Sequence, residues 1–273
     1  MFSPYYAWSR RFGAGDPHNH CAVNVVLHGP AANRWAFTER GRAAVSRTAD
    51  QLRIGPSALS WDGGCLTVEL DEVAAYSPHR RLRGTIRVHP AALTGHTVAL
   101  DAVGRHRWSP LAPVSRVEVA LSRPDVRWQG AGYLDSNDGD AALEQDFDNW
   151  HWSRAPTRAG AAILYDAVRR DGSTQAVAIT VDRSGAVRPI ESPPWAELRR
   201  SRWGVARRTR ADAGHSAQVR TTLLDSPFYA RSVIDSHLAG EPVTAMHESL
   251  SLDRFAAPWV QAMLPFRVPR ARG

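Results

Sequence analysis

Ala58-Leu59-Ser60-Trp61-Asp62-Gly63-Gly64-Cys65-Leu66-Thr67-Val68-Glu69-Leu70 reads as two short strands joined by a glycine turn. Side chains along a strand point alternately to opposite faces, so apolar residues at every second position give one buried face. Asp-Gly-Gly supplies the backbone freedom that a tight hairpin needs. The same grammar extends in both directions. Residues 21–27 alternate and are rich in β-branched side chains, and 34–39 follow a Gly29-Pro30 turn. The segments 82–88, 98–103 and 116–121 continue the series, and 161–168 turns at Asp171-Gly172 into 176–181. A second series covers 204–210, 218–224 and 243–252. Helical periodicity is confined to 253–263, and no fixed-length repeat stands out. Strands at this spacing over 273 residues predict an all-β protein of one or two antiparallel barrels, with a ligand in the mouth or lumen. The break falls at 140–160, where Asp138-Gly139-Asp140 and Arg154-Ala155-Pro156 interrupt the strands, giving domains 1–145 and 146–273.

The net charge of +7 comes from 34 basic residues, all of them Arg. Dense guanidinium charge suits nucleic acid or an anionic membrane surface. Nucleic-acid binding would call for aromatic platforms and a recognised module, and neither is evident. Arg199, Arg200, Arg202, Arg207, Arg208 and Arg210, interleaved with Trp203, form the densest basic run. Its alternation predicts a strand with one solvated face, with contact to anionic lipid as the functional rival. No apolar stretch approaches the roughly 20 residues of a spanning helix. The N-terminus has no basic head followed by an apolar core, which predicts a cytoplasmic protein. It starts abruptly, with Phe2, Tyr5, Tyr6 and Trp8 in quick succession, so a missing opening segment is expected.

Cys21 and Cys65 carry no CxxC or paired-His spacing and read as reduced thiols, with a disulfide as the alternative. His18, His20 and Cys21 are spaced poorly for one ion, so no metal is expected. Asn19 and His20 read instead as supporting polar groups.

Two strings carry chemistry: His106-Arg107-Trp108 and Gly132-Tyr133-Leu134-Asp135-Ser136-Asn137. A carboxyl, an imidazole and two electron-rich rings suit a reaction through a carbocation. An acid delivers a proton to a carbon-carbon double bond, and aromatic faces stabilise the resulting cation. Nothing in this set calls for a metal or another cofactor. Asp135 has two readings, a proton donor or a turn residue bonding its own backbone. Trp108 reads as core, as a cation-facing ring, or as both. His106 reads as a surface residue, or as a group that holds Asp135, relays its proton or activates water.

Phe2-Ser3-Pro4-Tyr5-Tyr6-Ala7-Trp8, Asn19-His20-Cys21-Ala22-Val23-Asn24, Thr38-Glu39-Arg40-Gly41, the Gly132–Asn137 string and Trp152-Ser153-Arg154-Ala155 occur in this order. Together they resemble the carotenoid 1,2-hydratases, also called hydroxyneurosporene synthases, over essentially the whole chain. The resemblance implies two lipocalin-like (calycin-type) barrels and addition of water to the terminal 1,2 double bond of an acyclic carotenoid such as neurosporene or lycopene. It implies catalytic roles for His106, Trp108, Tyr133 and Asp135, with no cofactor. The family's usual Trp-Asp-Trp is Trp150-His151-Trp152 here, which puts an acid at 151 in question. A non-catalytic carrier of a hydrophobic pigment or lipid is the rival reading, and a pericyclase on similar paired barrels is a third. Carotenes dissolve in membrane. The apolar Trp259-Val260-Gln261-Ala262-Met263-Leu264-Pro265-Phe266 followed by Arg267, Arg270 and Arg272 therefore suits peripheral docking on the inner membrane, and equally the closing of a barrel.

Overall fold

The computed structural model describes residues 3–13, 15–29, 33–74 and 77–271. Met1 and Phe2 of the opening string, Pro30 of the first turn and Arg272 of the basic end lie outside the described residues. Two compact units are present, each assembled from separate stretches. The first comprises Met1–Pro90, Arg116–Gly132 and Pro258–Gly273, the second Ala91–Ser115 and Tyr133–Ala257. The two units interleave along the chain.

The first unit begins with helix α1 (Pro4–Ser9), where Pro4 stands at the first turn and Ser3 Oγ accepts from the Tyr6 N–H. Its strands are β1 (Cys21–Leu27), β2 (Arg34–Arg40), β3 (Val45–Arg47), β4 (Gln51–Ile54), β5 (Ser57–Trp61), β6 (Leu66–Ala74) and β7 (Ser77–Pro90). β1 and β2 form a two-stranded sheet, and β3 to β7 are a meander. The β5–β6 hairpin pairs Ala58 with Glu69 and Trp61 with Leu66, as its sequence predicts. At its turn the Asp62 carboxylate accepts from the Gly64 and Cys65 N–H groups, and Gly63 takes φ +96°.

After the short β8 (Val98–Ala99), β9 (His106–Arg123) and β10 (Asp125–Gly139) contribute residues 116–123 and 125–132 to the first unit. The strand order is β10-β9-β7-β6-β5-β4-β3. Ala36, Leu70, Leu82, Val119 and Leu121 form the core, with Val23, Val25 and Ile86 packed on it. Each Val, Leu or Ile side chain among them, where fully buried, contributes about 1.5–3 kcal/mol relative to exposure. Gly84 lets β7 approach β9, because a Cβ there would sit 2.3 Å from the Ala120 carbonyl oxygen.

The second unit holds residues 106–115 of β9 and 133–139 of β10, then α2 (Leu143–Asp146), β11 (Phe147–Pro156), β12 (Gly160–Arg169), β13 (Thr174–Asp182) and β14 (Val187–Pro189). It continues with β15 (Trp195–Leu198), β16 (Arg207–Arg210), β17 (Gln218–Asp225), β18 (Tyr229–Leu238), β19 (Glu241–Ser251) and α3 (Leu252–Ala256). The main sheet runs β14-β13-β12-β11-β19-β18-β17, antiparallel throughout, and β15 pairs with β16 separately. Residues 140–160, expected as a break, hold α2 and β11, and β11 is bonded on both sides, to β12 and β19.

The all-β, antiparallel expectation holds, but two closed barrels are not seen. Neither strand order returns to its start among the described residues. Closure requires first and last strands to pair over a sheared register, and the edge strands β3 and β14 are only three residues long. The expected strand 98–103 shrinks to two residues before a turn at Asp101, whose carboxylate takes the N–H groups of Val103, Arg105 and His106. The helical stretch 253–263 breaks at Pro258 into α3 and α4 (Pro258–Met263), because proline cannot donate to the preceding turn.

Three of the recognisable strings serve the first unit's architecture. Glu39, fully buried, bonds His20 Nδ1 at 2.8 Å, and Ser3 Oγ and Arg270 Nη1 also donate to it. Asn19 caps this cluster by accepting from the Arg42 N–H and, through its carbonyl, from Arg270. Arg40 pairs with the equally buried Glu72 at 2.7 Å, and Ser57 donates to the same carboxylate at 2.6 Å. Asn19 and His20 are thus accounted for by a buried ionic knot. Cys21 and Cys65 are both free.

Candidate active site

Alternation along β9 and β10 builds the site in the second unit. Tyr133 and Asp135 are two apart on β10 and share a face, as do His106 and Trp108 on β9. The Asp135 carboxylate accepts from Trp108 Nε1 at 2.9 Å and from the Tyr133 hydroxyl at 3.0 Å. Asp135 is therefore a strand residue held by two side chains, not a turn residue bonding its own backbone. Burial pushes its carboxyl up from the ordinary value, opposed by these two donors. The Tyr133 hydroxyl is pushed far up by burial and by the neighbouring carboxylate.

Around this pair stands an aromatic wall. Trp108 is fully buried and meets Tyr165 edge-on at 5.5 Å. Tyr133 lies 5.1 Å from Trp152, and Trp150 lies 6.1 Å from Tyr165. Tyr165, Trp152, Glu248 and Arg231 are successive cross-strand partners over β12, β11, β19 and β18, which places them in one row on one face. Arg231 pairs with Glu248 at 2.7 Å and donates to the Tyr229 hydroxyl at 3.0 Å. Tyr165, Tyr229, Glu248 and Arg231 carry no local motif. Only the register of four strands reveals them.

His106 is 2% exposed, not a surface residue, and its Nε2 meets Asp146 at 2.6 Å. Its ring packs edge-on against Phe147 at 5.0 Å. Its Nδ1 faces Gly139, where a Cβ would come within 2.7 Å. Gly139 lies four residues along β10 from Asp135, so His106 anchors the far end of the β9–β10 pair and makes no hydrogen bond to Asp135 among the described residues. The sequence-predicted set therefore divides into a contacting trio, Trp108, Tyr133 and Asp135, and a separate His106–Asp146 pair.

His151 is turned away from this face. It bonds Ser249 at 2.9 Å and stacks on His247 at 6.2 Å. Burial lowers it to about 3 and His247 to about 4, so both are neutral. The basic run also departs from a solvated strand. Arg207 is 4% exposed and donates to Arg199, Arg200, Thr222 and Ser232, while Arg210 pairs with Asp166. Among the described residues no group of three or more His, Cys, Asp or Glu is arranged to hold a metal ion.

A half-buried carboxyl with a raised pKa, held by an indole N–H and a phenol O–H and set among further aromatic rings, can protonate an alkene and shelter the cation that forms.

Known proteins align with this picture. The family model for the carotenoid hydratase CrtC matches residues 1–273. An acyclic carotenoid 1,2-hydratase of Thiocapsa roseopersicina is 52% identical over 100% of this chain and 67% of its own length. One of Rubrivivax gelatinosus is 45% identical over 99% of this chain and 67% of its own. In fold, the chain resembles the crystal structure of an AttH-like protein of Nitrosomonas europaea, with a TM-score of 0.59, 15% identity and coverage of 84% of this chain and 80% of the other. On this evidence the chain belongs to the carotenoid hydratase CrtC family.

Proposed function

We propose that this protein adds water to the terminal 1,2 double bond of an acyclic carotenoid, such as neurosporene or lycopene, to give a 1-hydroxy carotenoid. The observation that carries the reading is the Asp135 carboxyl, pushed up by burial and steadied by Trp108 and Tyr133 beneath a wall of aromatic rings. The relatives named as acyclic carotenoid 1,2-hydratases support it.

Protonated Asp135 delivers its proton to C2, the less substituted alkene carbon, leaving a tertiary cation at C1. The rings of Tyr133 and Trp152, which keep some exposure, face that cation and stabilise it by about 1–2 kcal/mol per desolvated ring, beside the buried pair Trp108 and Tyr165. Water then bonds to C1 and gives up a proton. The Asp135 carboxylate left behind is held by the Trp108 N–H and Tyr133 O–H donors. His106 acts as a positioning residue through Asp146, fixing the strand end that carries Trp108.

The substrate is reached at a bilayer through a peripheral contact in the first unit. Trp259, Met263 and Phe266 are exposed there, with Arg267 next in sequence, a pairing of apolar anchors and positive charge suited to an anionic interface. No helix among the described residues is long and apolar enough to cross a membrane. Deleting 257–273 would be a poor test, since Pro269 and Ala271 bond the backbone of Glu39 and Val268 is buried. Trp259→Ser with Phe266→Ser should instead reduce flotation with anionic vesicles while leaving the fold intact.

The chemistry is tested by expressing the chain in a lycopene-producing bacterial host and separating the extracted pigments by mass. A product heavier by one water supports the hydratase. Bound but unaltered lycopene supports a carrier, and an isomer of unchanged mass supports a cyclase.

A further inference from the structure

We propose that Glu248 is the second carboxylate of the reaction, taking the proton from the water that captures the cation, and that the indole N–H of Trp152 helps to hold that water. This rests on the hydratase reading above and adds the step for which Asp135 alone is poorly suited. At the moment of capture Asp135 has just become a carboxylate bonded to two donors, Trp108 and Tyr133.

Three observations carry the assignment. First, Glu248 is the direct cross-strand partner of Trp152, on the same face of the sheet as Tyr165 and Arg231. Trp152 in turn packs on Tyr133, one of the two donors to Asp135. Second, the Trp152 Nε1–H is buried and has no hydrogen-bond partner among the described residues, which is costly unless a ligand or water completes it. Third, Glu248 is ionically held by Arg231 at 2.7 Å and its side chain keeps 22% exposure, so it can return a proton to solvent between turnovers. Its charge reaches the acid, since it pushes the Asp135 carboxyl further up. The charged and titratable groups around it are Arg231 and Tyr229 on β18, Tyr165 on β12, and Tyr133 and Asp135 on β10.

The step balances. The π electrons of C1=C2 form the new C2–H bond with the Asp135 proton. A water lone pair forms the C1–O bond, and one water O–H bond breaks with its proton passing to Glu248. Glu248 loses that proton to solvent and Asp135 regains one, so the net change is one alkene plus one water giving one tertiary alcohol.

The test uses purified wild type, Glu248→Gln and Glu248→Asp with detergent-dispersed lycopene in deuterated water. In Glu248→Gln, Asp135 still delivers a deuteron but capture by water is slow, so the cation collapses back to alkene. Hydration should fall about a hundredfold with KM held, as for loss of a general base, while recovered lycopene carries deuterium. The acidic limb of the pH–rate profile, which reports ionisation of the base, should flatten. Glu248→Asp should restore part of the rate and keep that limb. The inference is overturned if Glu248→Gln hydrates at the wild-type rate, or if the folded, pigment-binding variant neither hydrates nor labels. If Glu248→Gln does not fold, a Glu248→Asp variant that hydrates at the full wild-type rate overturns it equally, because a base drawn back by one methylene should lose part of that rate. Failure of the hydratase reading is separately visible, because wild type would then give no alcohol.

Discussion

Trp108 donates its indole N–H to the Asp135 carboxylate at 2.9 Å from a ring that is itself fully buried. One residue thus fills the core and sets the acidity of its neighbour. The donor favours the ionised form of Asp135, against the burial that raises it. Trp108→Phe keeps a ring and removes the donor, so the Asp135 pKa should rise further and the alkaline limb of kcat/KM, where the acid is lost, should move to higher pH. Tyr133→Phe should act in the same direction. The move reports the hydrogen bond that is lost, which for a charged group contributes about 1.5–3 kcal/mol. A limb that stays in place in both variants would count against Asp135 as the titrating acid.

Gly139 is the point of closest approach between β10 and the His106 ring. Gly139→Ala would put a Cβ 2.7 Å from His106 Nδ1 and 3.0 Å from the Arg105 carbonyl oxygen. Relief requires moving His106 off Asp146 or parting the strands. We expect a loss of about 1–3 kcal/mol in denaturant unfolding, together with lowered activity. Unchanged stability would show that this end of the strand pair yields freely.

Acid should weaken the second unit through two buried imidazoles. His151 and His247 are depressed to about 3 and about 4 by burial, whereas in the unfolded chain they titrate near the ordinary histidine value. Between these limits the unfolded state binds more protons, so stability is full above about pH 6.5 and is lost as pH falls toward 4. The melting temperature should decline over that window, and His151→Asn should make the decline shallower. An equal slope in the variant would mean that other groups carry the acid sensitivity.

Glu72 lies buried against Arg40 and Ser57. Glu72→Gln removes one charge of the pair and leaves the guanidinium uncompensated, which costs about 3–5 kcal/mol in comparable cases. Calorimetry should register a large drop in melting temperature without a direct effect on the Asp135 trio.

How far the sequence reveals this depends on where the information sits. The β5–β6 hairpin is legible because Asp62-Gly63-Gly64 forms a local turn between alternating strands. β10 is hidden because Gly130, Gly132, Asp135, Asn137 and Asp138 are turn-forming residues that become strand only through pairing with β9. β18 is hidden because its inward face alternates Ser232, Ile234, Ser236 and Leu238, which blurs the apolar pattern. At the site, Trp108, Tyr133 and Asp135 are legible as strings. Tyr165, Glu248 and Arg231 are not, because strand register alone brings them into one row. The recognisable strings around Asn19 and Glu39 turn out to build a buried ionic knot, so a distinctive motif marked architecture there.

The most direct measurement compares wild type with Asp135→Asn, both purified and folded, on detergent-dispersed lycopene in water enriched with heavy oxygen. Wild type should form an alcohol carrying the label. The Asn variant, which keeps the shape and hydrogen-bonding capacity of the site but cannot supply the proton, should bind the pigment and form alcohol at least a hundredfold more slowly, as expected for loss of a general acid. Labelled alcohol from Asp135→Asn at the wild-type rate would contradict the account.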